Sequence, residues 1–522
     1  MSLEEKLVAW ADRFSDHLNP ILVKEARQAL KSRQFVVTFM LLLLIVWLVS
    51  VVGVTLAGPA IEYGSPGRYF VMFFVFVLQF AVHFIVPFTA FRSMQVENEL
   101  STFELLSISN LSPKSIVLGK LGSAVVQVFL FYSAIAPFIA FTSLLQGFDL
   151  PNTIFLLVSN LFWSIFACLF SIMLSSISHG KQWATLNTLG VLGLLFWQTC
   201  GSFAFASAVM FETMPFDSSE FWWGCLAGFV AYMGFVHLLQ KIAESRLTFE
   251  SDNRSTGIRL ACLYLLVSQW LMLGAYGLYA AASSSVTLDW TILIPLTFIS
   301  ALFVGVMGLF AATELDYMSR RVRRQIPSGG LLALGKALLL PGGARGYAYF
   351  LALLGAIALV SNSLWITQLK ATRPGEQMVM NGLMLYAVIY VSFGAAIGRW
   401  MQLISAQVKP AHCRVIVLMV AIISMMVPYI PLILGTTTWS YGYSLMDVTN
   451  PFSTLHYMDQ NPNQPLSMIA FAMLAAAAVL GLVVNLWAMF KGVFEVVNYR
   501  STQARSVPVA QVETFSIETL SE

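Results

Sequence analysis

Twelve apolar runs separated by short polar stretches set the pattern of this chain. They fall at residues 35–57, 69–91, 116–145, 153–176, 184–210 and 220–240, then at 259–283, 290–313, 346–366, 378–399, 413–436 and 466–490. A helix needs about 20 apolar residues to cross a hydrocarbon core of roughly 30 Å. Each run therefore predicts one membrane span, and the chain reads as an all-α polytopic membrane protein. The run from Ile116 is longer than a bilayer needs, which places its first turn or two in the interface or the cytoplasm.

Lysine and arginine indicate the orientation. With the N-terminus inside, the external loops hold only Arg68, Lys370 and Arg373, leaving 26 of the 29 basic residues on the inner side. One span more or fewer would invert every later loop and destroy that asymmetry, so both termini are expected to be cytoplasmic. Composition agrees, since 58% hydrophobic residues, 11% charged residues and a mean hydropathy of +0.76 exclude a soluble domain. A net charge of +3 gives no reason to invoke nucleic acid. Cys168, Cys200, Cys225, Cys262 and Cys413 form no CxxC or Cys/His pairing and read as small apolar packing residues. The first 34 residues mix charges ahead of a full-length run, so no cleavable signal peptide is expected.

The segments outside the membrane are short. Residues 1–34 contain a predicted helix after Asn19-Pro20, with Leu22, Ala26, Ala29 and Leu30 on one face and Lys24, Arg27, Gln28 and Lys31 on another. Such a helix suits the cytoplasmic headgroup layer, or serves only as a positive flank that sets topology. A linker at 241–258 separates six spans over 35–240 from six over 259–491, and 492–522 read as a disordered cytoplasmic tail. The inner loop 314–345 carries Arg320, Arg321, Arg323 and Arg324, which suit anionic lipid headgroups, an acidic partner surface or a plain topology signal. The external stretch 437–465 is either a small cap or a loose linker.

Segment 92–115 is the most informative. Glu97, Glu99 and Glu104 cannot sit unpaired in hydrocarbon, so they mark a water-exposed connector between the second and third spans. Phe103, Leu105 and Leu106 offer apolar anchors beside the acids. Such a segment can dock a soluble partner, or its acids can simply cap and solvate a helical hairpin. The order Glu97, Glu99, Thr102, Glu104, Leu105, Leu106, then Leu111, Ser112, Pro113, Ile116, Gly119, Lys120 resembles the same stretch of ABC-2 type transporter permeases, and Asn19 to Phe35 resembles that family's interfacial helix. The likeness is strongest over residues 19–240. It differs at Ser101, where the family usually has Gly, and at Asn110, where it often has Pro.

The resemblance implies a bacterial inner-membrane permease whose connector seats in a groove of a separate ABC ATPase subunit, with export the expected direction. On that reading the second six spans are a diverged repeat that makes a pseudo-dimer within one chain, or two chains pair through their first six. The chain's own Gly-Lys pairs, Gly119-Lys120, Gly180-Lys181 and Gly335-Lys336, are not followed by Ser or Thr, so no phosphate-binding loop is present. No cofactor, metal or catalytic residue is expected, and HExxH and GxSxG are absent. Gln79 and His83, one turn apart on the second span, either hydrogen-bond across helices or take part in proton movement. No span carries a charged residue near its centre, which disfavours a secondary carrier. That carrier or channel, and a non-transporting scaffold, are the alternatives, and the apolar spans favour an amphipathic or lipid-like cargo.

Overall fold

The computed structural model describes residues 19–58, 64–99, 112–177, 181–212, 214–249, 251–282, 292–316, 318–324, 326, 330–366, 374–404, 410–430 and 443–506. Lipid offers the backbone no hydrogen-bond partner, so spanning segments must close their own bonds. The described residues form helices and no strand, and twelve helices are long and apolar enough to cross a membrane. The protein is an all-α, multi-pass membrane protein. It divides into two compact units, Met1–Phe249 with Ala261–Leu273, and Glu250–Leu260 with Gly274–Glu522. The seventh span thus lends its middle to the first unit and its ends to the second.

In the first unit, α1 (Pro20–Lys31) opens with Pro20 at its first position and the Asn19 side chain accepting from the Ile21 amide. Ser32 ends it and caps α2 (Arg33–Ala57) by accepting from the Phe35 amide. The α2 helix is apolar on every side and only 11% buried, as a lipid-facing helix is. The next span, α3, runs from Pro66–Phe80 through a π turn at Ala81–Ile85 into Val86–Glu99. It is 56% buried and packs on α4 (Pro113–Thr142), α5 (Leu150–Ile177) and α6 (Lys181–Phe211). The last helix, α7 (Ser219–Leu247), lies against α4 and α5. Phe74, Leu78, Met94, Val117, Phe131, Ile135 and Ile172 fill the centre.

The π turn has a local cause. Pro87 offers no N–H to the carbonyl of His83 four residues earlier, so the α ladder is already interrupted there. Polar side chains from neighbouring helices gather at the same level. The Gln79 amide donates to Asn160 Oδ1 (2.8 Å) and to the Ser202 carbonyl (3.1 Å), and His83 Nε2 donates to the Asn160 carbonyl (3.2 Å). All three of Gln79, His83 and Asn160 are buried.

The second unit contains the ends of α8 (Thr256–Ala282), then α9 (Leu293–Ala312), α10 (Arg320–Arg324), α11 (Gly330–Leu339), α12 (Gly343–Leu364), α13 (Pro374–Ile404), α14 (Pro410–Met426), α15 (Pro451–Gln460) and α16 (Pro465–Ser506). Its hub is α13, half buried and packed on α9, α12, α14, α15 and α16. Outside the spans, 443–460 fold rather than wander. Ser444 and Asp447 form a capping box, Asn450 caps α15, Tyr386 donates to the Val448 carbonyl at 2.6 Å, and the Tyr443 ring stacks on Tyr457 at 4.1 Å. Burial pushes the Tyr443 phenol above its ordinary pKa.

Two boundaries differ from the sequence expectation. The tail expected to be disordered from residue 492 begins as helix, since α16 continues to Ser506, with Val493 and Val496 buried against Met318, Val322, Ala337 and Leu340. The linker expected from 241 is likewise shorter, because α7 runs on to Leu247.

Candidate functional site

The base of the 92–115 connector is built around one buried cation. Lys120 lies two turns into α4 and is 3% exposed. Its ammonium meets Glu25 of α1 at 3.2 Å and Glu97 near the end of α3 at 3.1 Å. It also donates to the Ser93 hydroxyl at 3.4 Å. An ammonium has three N–H donors, so these contacts use all of them and tie three elements to one atom. A cleft of about 160 Å³ opens over the cluster, lined by Pro20, Ile21, Lys24, Glu25, Glu97, Ile116 and Lys120.

Sequence dictates this approach locally. Ser112 caps α4 by accepting from the Ser115 amide, and Pro113 takes its first position. Gly119 and Gly122 then leave a flat strip on which α1 lies. A methyl on Gly119 would stand 2.8 Å from Ile21 Cβ, and one on Gly122 would stand 2.9 Å from a Leu22 methyl. The Asn19 amide donates to the Ser115 carbonyl at 2.6 Å, pinning the start of α1 to the same turn. Gly119→Val is therefore expected to lift α1 and cost about 1–3 kcal/mol, visible as faster hydrogen exchange over residues 20–31. Unchanged exchange there would contradict the close packing.

Of the residues singled out from sequence, Lys24 and Glu97 meet at this cleft, while Arg27 and Lys31 remain exposed along the outer face of α1. Pro113 starts α4, and Glu99 is the last helical residue of α3. Thr102, Phe103, Glu104, Leu105 and Leu106 lie outside the described residues. Gln79 and His83 form the interhelical cluster above. Asn187 also bonds to a neighbouring helix, through the Leu174 carbonyl at 2.9 Å, whereas Gln127 donates within its own helix to Ser123. Arg320, Arg321 and Arg324 are exposed and Arg323 is half-buried.

Sequence reasoning missed Glu25 and Lys120 as a pair. The available signal was Glu25 itself, which falls among Leu22, Ala26 and Ala29 on the apolar face of α1, where an acid demands a cation. It also missed an ion-paired node in the second unit. Arg259, 1% exposed, donates to the carbonyls of Leu338 (2.7 Å), Leu340 (2.6 Å) and Gly342 (3.2 Å) and to Glu314 (2.8 Å). Glu314 also accepts from Ser255 and the Gly342 amide, each at 3.1 Å, and Asp316 accepts from the Ala344 amide at 3.1 Å. Gly342 sits at φ +136°, a conformation that favours glycine. Arg345, also buried, donates to the Pro341 and Gly492 carbonyls.

Among the described residues no three His, Cys, Asp or Glu side chains gather as a metal site. No protein-family model, curated protein or solved structure matches the chain.

Proposed function

We propose that this chain is the membrane subunit of an ATP-driven transporter of the ABC-2 type, moving an amphipathic or lipid-like cargo outward across a bacterial inner membrane. A separate ATPase docks on the 92–115 connector. The observation that carries this reading is the Lys120 cluster. It joins α1, the end of α3 and the start of α4 immediately beneath the connector, so a push on the connector loads three helices together instead of bending one loop. The ordered residue match over 92–120 and the lysine and arginine distribution support the same arrangement, with both termini in the cytoplasm.

The chemistry on each side of the joint has a distinct job. Glu97 is engaged by Lys120 and holds the base, which leaves Glu99 and Glu104 as the acids to meet the ATPase, with Phe103, Leu105 and Leu106 supplying apolar affinity. Closure of the ATPase would tilt the helices of the first unit and shift its cavity between inward and outward access.

Co-purification of the tagged chain with candidate ABC ATPases tests this directly. The wild type is expected to retain its ATPase and stimulate hydrolysis, and Glu104→Lys, with Glu97 left intact, is expected to lose both. A complex that survives the charge reversal with full stimulation would overturn the assignment. So would labelling of a cysteine placed at Ser101 from outside sealed cells. Transport that persists after ATP depletion would assign the chain to ion-driven carriers instead.

A further inference from the structure

The second unit carries a basic surface that the transport reading does not use. Helix α10 is the sequence RRVRR, and its one apolar residue is turned inward: Val322 is 2% exposed, packed with Met318, Ile326, Leu340, Val493 and Val496. Ser319 caps the helix, accepting from the Val322 amide at 3.2 Å, and its hydroxyl donates to the Ser251 carbonyl. Arg321 pairs with Asp252 at 3.1 Å. These contacts fix the helix and leave Arg320 and Arg324 exposed, one turn apart on the same side.

Nearby acids do not neutralise them. Asp252 serves Arg321, Glu314 serves Arg259 and Ser255, and Asp316 caps the start of α12. Among the described residues no carboxylate pairs with Arg320 or Arg324. We propose that Arg320 and Arg324 together bind the phosphodiester of an anionic phospholipid headgroup.

Depth argues for lipid over a soluble acidic protein. The patch is tied to Ser251 and Asp252, only five and four residues before α8 begins at Thr256. At about 3.3 Å per residue, those ties lie no more than roughly 17 Å of chain from a membrane span. The headgroup layer itself is about 5–8 Å thick on each face, and an arginine reaches most of the remaining distance. Leu315 and Leu334, 49% and 41% exposed, belong to the same 314–345 segment. A segment that carries exposed leucines as well as exposed arginines suits a surface that meets acyl chains and phosphates together. Two guanidinium forks one turn apart match the paired oxygens of a phosphodiester.

The test uses the full chain in bilayer nanodiscs with photoactivatable phosphatidylglycerol, cross-links being mapped by peptide mass. Cross-links are expected between Glu314 and Leu339, and Arg320→Gln with Arg324→Gln is expected to reduce them on the order of tenfold. Cross-links near the basic face of α1 should persist in that variant and report an intact fold. A photoactivatable phosphatidylcholine should label both proteins equally. Undiminished phosphatidylglycerol labelling in the variant overturns the site. Displacement of the label by inorganic phosphate overturns it in favour of a soluble anion, and absence of the label with capture of an acidic polypeptide overturns it in favour of a protein. None of these outcomes depends on an ATPase.

Discussion

Replacing Lys120 by methionine is expected to uncouple the proposed transporter while leaving its twelve spans inserted. The side chain is buried, and the substitution would leave Glu25 and Glu97 facing one cleft without their cation. Breaking a buried pair by removing one partner costs about 3–5 kcal/mol, and here two carboxylates lose the same partner. The structure relieves that cost most readily by separating α1 from α4, since α1 is short and has one buried residue, Ile21. Hydrogen exchange over residues 20–31 and 93–97 should rise, and ATPase stimulation should be lost with it. Adding Glu25→Gln and Glu97→Gln removes the stranded charges. That triple variant is expected to recover most of the exchange protection, which separates an electrostatic joint from a packing defect. Lys120→Met with unchanged exchange and unchanged stimulation would show that the cluster carries no load.

How much of this was legible in the sequence depends on which force acts. Membrane spans are dictated by a solvent that refuses unpaired backbone, and that constraint writes itself into runs such as 35–57 that hydropathy reads directly. Helix ends obey a different rule. The extension of α16 past residue 492 is held by Val493 and Val496 packing on α10 and α11, a contact between segments about 150 residues apart in sequence, which no local window contains. The π turn at Ala81–Ile85 had one local sign, Pro87, and its polar partners Asn160 and Ser202 come from other helices.

The candidate site shows the same division. Glu97 and Lys24 stood out because charge beside an apolar run must be explained, and both line the cleft. Lys120 stood out only as the last residue of the family likeness, and not as a partner for these acids, because a lysine near the start of a span is already accounted for by topology. Only its burial and its two acid partners distinguish it from a flank. Arg259 and Arg345 escaped for the same reason: the loops that precede and follow these spans are rich in arginine, and sequence cannot say which of them turn into the protein.

Loss of Arg259 is expected to be the most destabilising single change in the second unit. Its guanidinium satisfies three backbone carbonyls and one carboxylate in a site that is 1% exposed. Arg259→Met would take away the guanidinium from the Leu338 and Leu340 carbonyls and the cation from Glu314, while the Gly342 carbonyl keeps the Gly346 amide at 2.8 Å. Each group left unsatisfied costs about 1–3 kcal/mol before relaxation. Partial hydration and movement of Glu314, which is 27% exposed, lower the total to about 3–5 kcal/mol. Thermal denaturation of the detergent-solubilised chain should shift down by roughly 10 °C. Arg259→Lys should recover little, because an ammonium cannot span the four acceptors with the geometry of a planar fork. Glu314→Gln should cost less, since an amide oxygen can still accept from Arg259 and from the Gly342 amide. The two positions share one network, so Arg259→Met with Glu314→Leu should destabilise by less than the separate losses together. Strict additivity would mean that the pair contributes no coupling energy. The lost protection should be confined to 313–345 and the start of α8, leaving residues 20–31 at wild-type exchange. A collapse of both regions would show instead that Arg259 governs the folding of the whole chain.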